Sequence, residues 1–227
     1  MTKKYEINAD GRVVARRNFG FVKAGDVGGF VESETNLSHE GNCWVSGNAQ
    51  VSGNAKVRVN AQIYGDAWIY GDAWIYENAQ ICGDAQVSGN ARVSGNAEVS
   101  GNAWIFGNAQ VFGDARVFGN ARVRGNSQIC GDAEVYENAQ VSGNAEVSGD
   151  ARVSGDARVS GITRSDGFCF CYVPCSDGNH RVIAGCRYFT IPEAREHWGT
   201  EHPRHKETNA ILDALVILSK VKAEGCV

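Results

Sequence analysis

From Val45 to Arg158 an aliphatic residue recurs at every sixth position without a break, which makes 19 consecutive hexads built on Val-Ser-Gly-Asn-Ala-x. Position one is Val or Ile in all 19, position four Asn or Asp in all 19, position five Ala in 18 and position three Gly in 16. The exceptions are Ser127 at the alanine position and Val59, Glu77 and Glu137 at the glycine position. In an extended stretch side chains alternate sides, so Ala and the Val or Ile two residues on share one side and the two residues interleaved with them share the other. Gly followed by Asn or Asp predicts a corner, because these residues tolerate left-handed backbone angles that strain a β-branched residue.

Three such corners close a triangular coil of 18 residues. Val and Ala then stack inward coil upon coil, and the Asn/Asp column can hydrogen-bond along the corner, so each coil stabilises its neighbours. The prediction is an all-β solenoid, a three-sided parallel β-helix of about six coils, roughly 30 Å long at about 4.8 Å per rung. Periodicity leaves its handedness open. Unpaired strand edges at both ends need covering, and the flanks are expected to supply the covers. Residues 1–44 form an N-terminal cap with a strand or hairpin at Arg12 to Arg16 and an irregular first coil, 45–161 the helix, and 162–227 a small α+β module. That module pairs Phe168 to Val173 with Arg181 to Ala184, opens a helix near Ile191-Pro192-Glu193, and ends in a helix from Glu207 to Ala223 carrying Ile211, Leu212, Leu215, Val216, Leu218 and Val221. The glycines of Val22 to Val31 lack a following Gly-Lys-Ser/Thr, so they predict turns and not a phosphate loop.

The aliphatic residue with a small residue four positions later resembles the left-handed β-helix of the hexapeptide-repeat superfamily. Within it, Val22-Lys23-Ala24-Gly25-Asp26, Gly28-Gly29-Phe30-Val31-Glu32 and Leu37-Ser38 to Cys43-Trp44 look like the amino end of YdcK-type repeat proteins of enterobacteria and their phages. Ala184-Gly185-Cys186-Arg187-Tyr188-Phe189-Thr190, with Glu193-Ala194-Arg195 and His197-Trp198, looks like a module that recurs on phage and prophage repeat proteins. The resemblance implies a left-handed helix, a phage or prophage origin and a parallel homotrimer.

Hexapeptide-repeat enzymes use coil or loop histidines, as the base of acyl transfer or as zinc ligands. All five histidines here, His39, His180, His197, His202 and His205, lie outside the hexads, and no inserted loop shapes an acyl-donor site. The chain is therefore expected not to be an enzyme, with acyl transfer the weaker alternative, and no catalytic residue is assigned. His39 reads as a solvated loop residue. Cys169, Cys171, Cys175 and Cys186 with the later histidines do not have the spacing of a familiar zinc signature, and Cys169 and Cys171 share one strand face, which suits a small apolar core. No metal or cofactor is expected.

The charge of −4 belongs to the array, with eight Lys/Arg against twelve Asp/Glu between residues 45 and 161, which argues against bulk nucleic-acid binding. MTKKYEINADG has no apolar signal core and no run is long enough to span a bilayer, so a cytoplasmic protein is expected, the host cytoplasm for a phage product. There the eight cysteines stay mostly reduced, and the glycosylation triplet Asn36-Leu37-Ser38 has no bearing.

The variable positions point outward. Stacking residues 18 apart places Trp68/Tyr70, Gln86/Ser88, Trp104/Phe106 and Arg122/Arg124 on a first face, Trp74/Tyr76 and Phe112 on a second, and Tyr64 and Phe118 on a third. Nine outward rings between Tyr64 and Phe118 make a belt too large for a monomer to leave wet. Self-association through this belt is the leading expectation. A second reading is a site for a planar anionic ligand such as a nucleotide, with aromatic rungs about 9.6 Å apart over Gln86/Ser88 and arginines beyond. The function expected is an oligomeric binding protein that engages itself, a host protein or a nucleotide; a structural assembly protein is the alternative.

Overall fold

The computed structural model describes residues 3–174, 179–184 and 187–224. Twenty short strands, from Trp44–Val45 to Arg158–Ser160, climb as a parallel β-solenoid. Every rung pairs with the rung 18 residues away: Gln86 with Trp68 and Trp104 on the first face, Arg92 with Trp74 and Gln110 on the second, Glu98 with Gln80 and Arg116 on the third. The third face is a 7-stranded sheet, one rung for each of its seven hexads. An irregular coil precedes the regular ones. Val27–Val31 pairs with Gln50–Val51, Leu37 bridges Val57, and Trp44–Val45 pairs with Gln62–Ile63. Where this coil has no full strand, buried Asn36 stands in, its amide donating to the carbonyls of Gly53 and Ala55.

Inward Ala and Val/Ile are fully buried from Ala49 to Val153, and Ser127, the one replacement for Ala, is buried with its hydroxyl donating to Arg124 O. At each corner only the glycine position is left-handed and the Asn/Asp position is not, as at Gly95 (φ 69), where an added Cβ would also lie 2.8 Å from the backbone of Gly113. Val59, Glu77 and Glu137 hold the same angle at 61, 61 and 59 degrees. The Asn/Asp position instead forms ladders. Asn60 donates to Asn78, Asn78 to Asn96 and Asn96 to Asp114, each one coil on. An aspartate has no hydrogen to pass further, so no bond joins Asp114, Asp132 and Asp150 in that corner.

The two ends are closed differently. At the N-terminus a hairpin of β1 (Tyr5–Ile7) and β2 (Arg12–Ala15) extends the first face antiparallel to β3 (Val27–Val31). Gly28 and Gly29 lie inside β3 and not in a turn, because a Cβ on Gly28 would strike Val45 O and one on Gly29 would lie 2.5 Å from Ala49 O. Lys4 is fully buried here. Its ammonium donates to Cys43 O at 2.9 Å and lies 3.3 Å from Cys43 Sγ and 4.9 Å from the ring of Phe19, and burial lowers its pKa.

At the other end Ile162–Thr163, Cys169–Pro174, His180–Ala184 and Arg187–Phe189 form an antiparallel sheet. Its strand alternation serves two cores. Cys171, Val173 and Ile183 plug the solenoid, while Phe170, Val182 and Ala184 face α1 (Ile191–His197) and α2 (His205–Glu224) through Trp198, Leu212 and Leu215. A Thr190–Glu193 capping box starts α1. The expected hairpin and both helices are present; the Leu218 and Val221 side chains lie outside the described residues.

Candidate binding surface

The outward aromatics fall where rung register puts them. Trp68 and Tyr70, two residues apart on one strand, point to the same side with ring centroids 4.9 Å apart and planes tilted by 41°. Trp104 and Phe106 repeat the arrangement two rungs on at 5.2 Å and 46°. In the coil from Tyr64 to Tyr76, five rings wrap all three faces: Tyr64 on the third, Trp68/Tyr70 on the first, Trp74/Tyr76 on the second. Trp68, Trp74, Tyr64 and Trp104 are 45%, 44%, 38% and 37% exposed, large values for apolar rings in a folded chain. Tyr70, Tyr76, Phe106, Phe112 and Phe118 are half-buried.

Two features of this belt were not visible in residue order. Ser88, one rung from both Tyr70 and Phe106, is only 6% exposed, and Ser94, between Tyr76 and Phe112, only 7%. Both serines are closed to solvent between rungs that carry rings, so these columns are not open slots. The open floor between aromatic rungs is Gln86, with Trp68 and Trp104 on either side. Cations of the chain also close the belt at its ends. Lys56 Nζ lies 4.9 Å from the centre of the Trp74 ring and the Arg122 guanidinium 6.0 Å from that of Trp104; each contact contributes about 0.5–1 kcal/mol at an exposed site. Arg124 stays exposed beside Arg122. Phe118 belongs to a separate pair, stacked on Tyr136 at 5.0 Å and 4° on the third face. Arg116 and Arg152 flank Glu134 on that face at 4.0 and 3.2 Å. The Tyr64 hydroxyl is pushed up to about 12, first by its hydrogen bond with the Cys82 thiol and then by burial.

A family model described as the YdcK beta solenoid repeat matches residues 61–77, 85–101, 109–128 and 145–161. All four spans lie inside the solenoid. These spans are similar to YdcK-type β-solenoid repeats. No curated protein matches the chain. Trp68 through Tyr76, Phe112, Phe118, Arg122 and Arg124 lie within the matched spans, while Trp104 and Phe106 fall between two of them.

Beyond the solenoid, titratable side chains serve the caps. His39 is not a solvated loop residue: it stacks on Tyr5 at 4.3 Å and its Nδ1 accepts from Lys4 N, which places the proton on Nε2, 3.8 Å from Glu34. His180 stacks on Tyr172 and His197 on Phe189. Arg164, buried among Phe168 and Phe170, forks onto both oxygens of Asp166 and holds that carboxyl down at about 2. Among the described residues no group of three or more His, Cys, Asp or Glu is disposed to hold a metal; Cys175 and Cys186 lie outside them. The buried lysine and the double duty of the Cys169–Pro174 strand escaped sequence reasoning, because Lys3-Lys4 reads as a solvated pair and Phe-Cys-Phe-Cys-Tyr as a strand with one apolar face.

Proposed function

We propose that this protein is a non-catalytic binding scaffold of phage or prophage type, which associates with copies of itself, a trimer being the favoured state, through the aromatic belt of its middle coils. The observation that carries this reading is the exposed Trp68, Trp74 and Trp104 on adjoining faces around one corner, a wedge that two neighbours can cover at once. Scaffold residues alone need none of these rings, since other coils use Ser and Gln at the same outward positions. The closed ends favour a discrete oligomer over an assembly that grows by stacking coils end to end. No histidine lies in the hexads to serve as the base of an acyltransferase.

A second reading follows from Gln86. The floor between Trp68 and Trp104, with Arg122 and Arg124 one rung beyond, suits a flat anionic ring system such as a nucleotide, held by stacking and charge. Such a protein would sequester a small molecule or host factor in the cytoplasm. Native mass spectrometry of protein purified from cells tests both readings. A discrete trimer that Trp68→Ala with Trp74→Ala reduces to monomers supports the first, and a retained small molecule lost in Trp104→Ala and Arg122→Ala supports the second. A monomer with nothing bound removes both.

A further inference from the structure

The last coil of the solenoid ends in open backbone groups, and two of them are met by sulfur. Cys169 Sγ donates to Asn144 O at 2.9 Å, and Cys171 Sγ accepts from the backbone N–H of Glu146 at 3.1 Å. The two sulfurs lie 4.0 Å apart. Gly161 leaves the space for them, because a Cβ there would strike Cys169 Sγ. Cys171 is fully buried, while Cys169 is partly exposed. The α-carbons of two residues flanking one on a strand lie roughly 6.6 Å apart, at the outer end of what a disulfide spans, so a bond here is strained and readily reduced.

We propose that Cys169 and Cys171 form a reversible dithiol–disulfide pair whose oxidation uncaps the final rung of the second face. The oxidant is a small disulfide such as oxidised glutathione. The Cys169 thiolate attacks one of its sulfurs and expels a first thiolate. Cys171 loses its proton, attacks the Cys169 sulfur of the mixed disulfide and expels the second. The two protein thiols lose two protons and two electrons, and the oxidant becomes two thiols. Order follows from access, since Cys169 is the sulfur an oxidant reaches. The Cys169 thiol is also held below its ordinary pKa by the hydrogen bond with Cys171, whose own is raised by that bond and by burial. Rotation of both sulfurs toward each other withdraws the acceptor from Glu146 N–H and the donor from Asn144 O, and returns that edge to the unpaired state that a solenoid end must avoid.

The test uses the full chain with oxidised glutathione, followed by peptide mapping and amide hydrogen exchange. Expected are a Cys169–Cys171 peptide lighter by two hydrogens, exchange at the Glu146 amide roughly tenfold faster, and reversal of both by reductant. In Cys171→Ser the reaction stops as a glutathione adduct on Cys169. A disulfide mapped to other cysteines, two thiols left unreacted, a stable adduct on Cys169 in the wild-type chain, or unchanged protection at Glu146 overturns the proposal.

Discussion

The carboxylate of Glu77 accepts a hydrogen bond of 2.6 Å from the backbone N–H of Gly95, one coil further along the same corner. Glu137 makes the same bond to Gly155 at 2.5 Å. Both glutamates sit at left-handed corner positions that glycine otherwise fills, at a cost of roughly 1–2 kcal/mol for a residue with a Cβ. A hydrogen bond to a charged group returns about 1.5–3 kcal/mol, so the replacement is tolerated where the side chain can reach the next coil. Glu77→Ala keeps the strain and loses the bond, and a loss of about 1.5–3 kcal/mol is expected in urea unfolding. Glu77→Gly removes both and should be nearly neutral. Equal losses for the two variants would contradict this account.

Val59 holds the same backbone angle and is β-branched, with no side-chain group to reach the next coil. Val59→Gly should therefore stabilise the chain by about 1 kcal/mol, the relief of strain less the flexibility glycine adds to the unfolded chain. A lower unfolding midpoint for this variant would show that Val59 is held by contacts worth more than its strain.

The Asn ladder stops at each aspartate, and Asp114, Asp132 and Asp150 stand one above another with no amide between them. Asp132→Asn introduces a donor toward Asp150 and removes a like charge between two others, and a gain of about 1 kcal/mol is expected. Asn108→Asp, which keeps the bond accepted from Asn90 and loses the one donated to Asn126, should cost a similar amount. Paired thermal melts of the two variants check the opposite signs.

Belt and core substitutions should separate cleanly. Ile105→Ala empties a fully buried inward position and is expected to cost about 2–5 kcal/mol. Trp104→Ala, its outward neighbour on the same strand, should leave the monomer fold intact within about 1 kcal/mol, since it gives up mainly an exposed ring and the Arg122 contact. A melting temperature that falls as far for Trp104→Ala as for Ile105→Ala would place the belt among the structural elements.

Asp166 supplies the pH dependence. Its folded pKa, about 2, lies below the ordinary carboxylate value because Arg164 forks onto it. The stability it adds is therefore present above about pH 4 and is lost as pH falls toward 2. Asp166→Asn should flatten the acid limb of a stability-against-pH curve for the C-terminal module. An unchanged limb would assign acid sensitivity to other carboxylates.

The solenoid was legible in residue order because one short rule, Val and Ala inward with Gly at the corner, is repeated until no other period fits. Outward facing and rung register followed from the same rule, so Trp68, Trp104 and Arg122 were placed on one face correctly. What order could not show was lateral reach. Ser88 is closed to solvent between Tyr70 and Phe106, and Arg122 turns back onto Trp104, through side-chain angles that a period does not specify. The caps were legible as strands, helices and covers of the two ends, but the residues that plug those ends were not. Gly28 and Gly29 signalled turns by composition, whereas a close approach to Val45 and Ala49 requires them; Lys4 carried no signal of burial at all.

Each hexad advances the chain by one face, so the repeat couples length to angle. Removing or adding one hexad would rotate everything beyond it by a third of a turn, and Cys171 would then face a different sheet from the one whose last rung it closes. Only a whole coil of three hexads restores the fit. Chains of this design can therefore lengthen or shorten in steps of 18 residues without redesigning either plug, and the number of rows on which outward residues are displayed becomes adjustable independently of the ends that hold them.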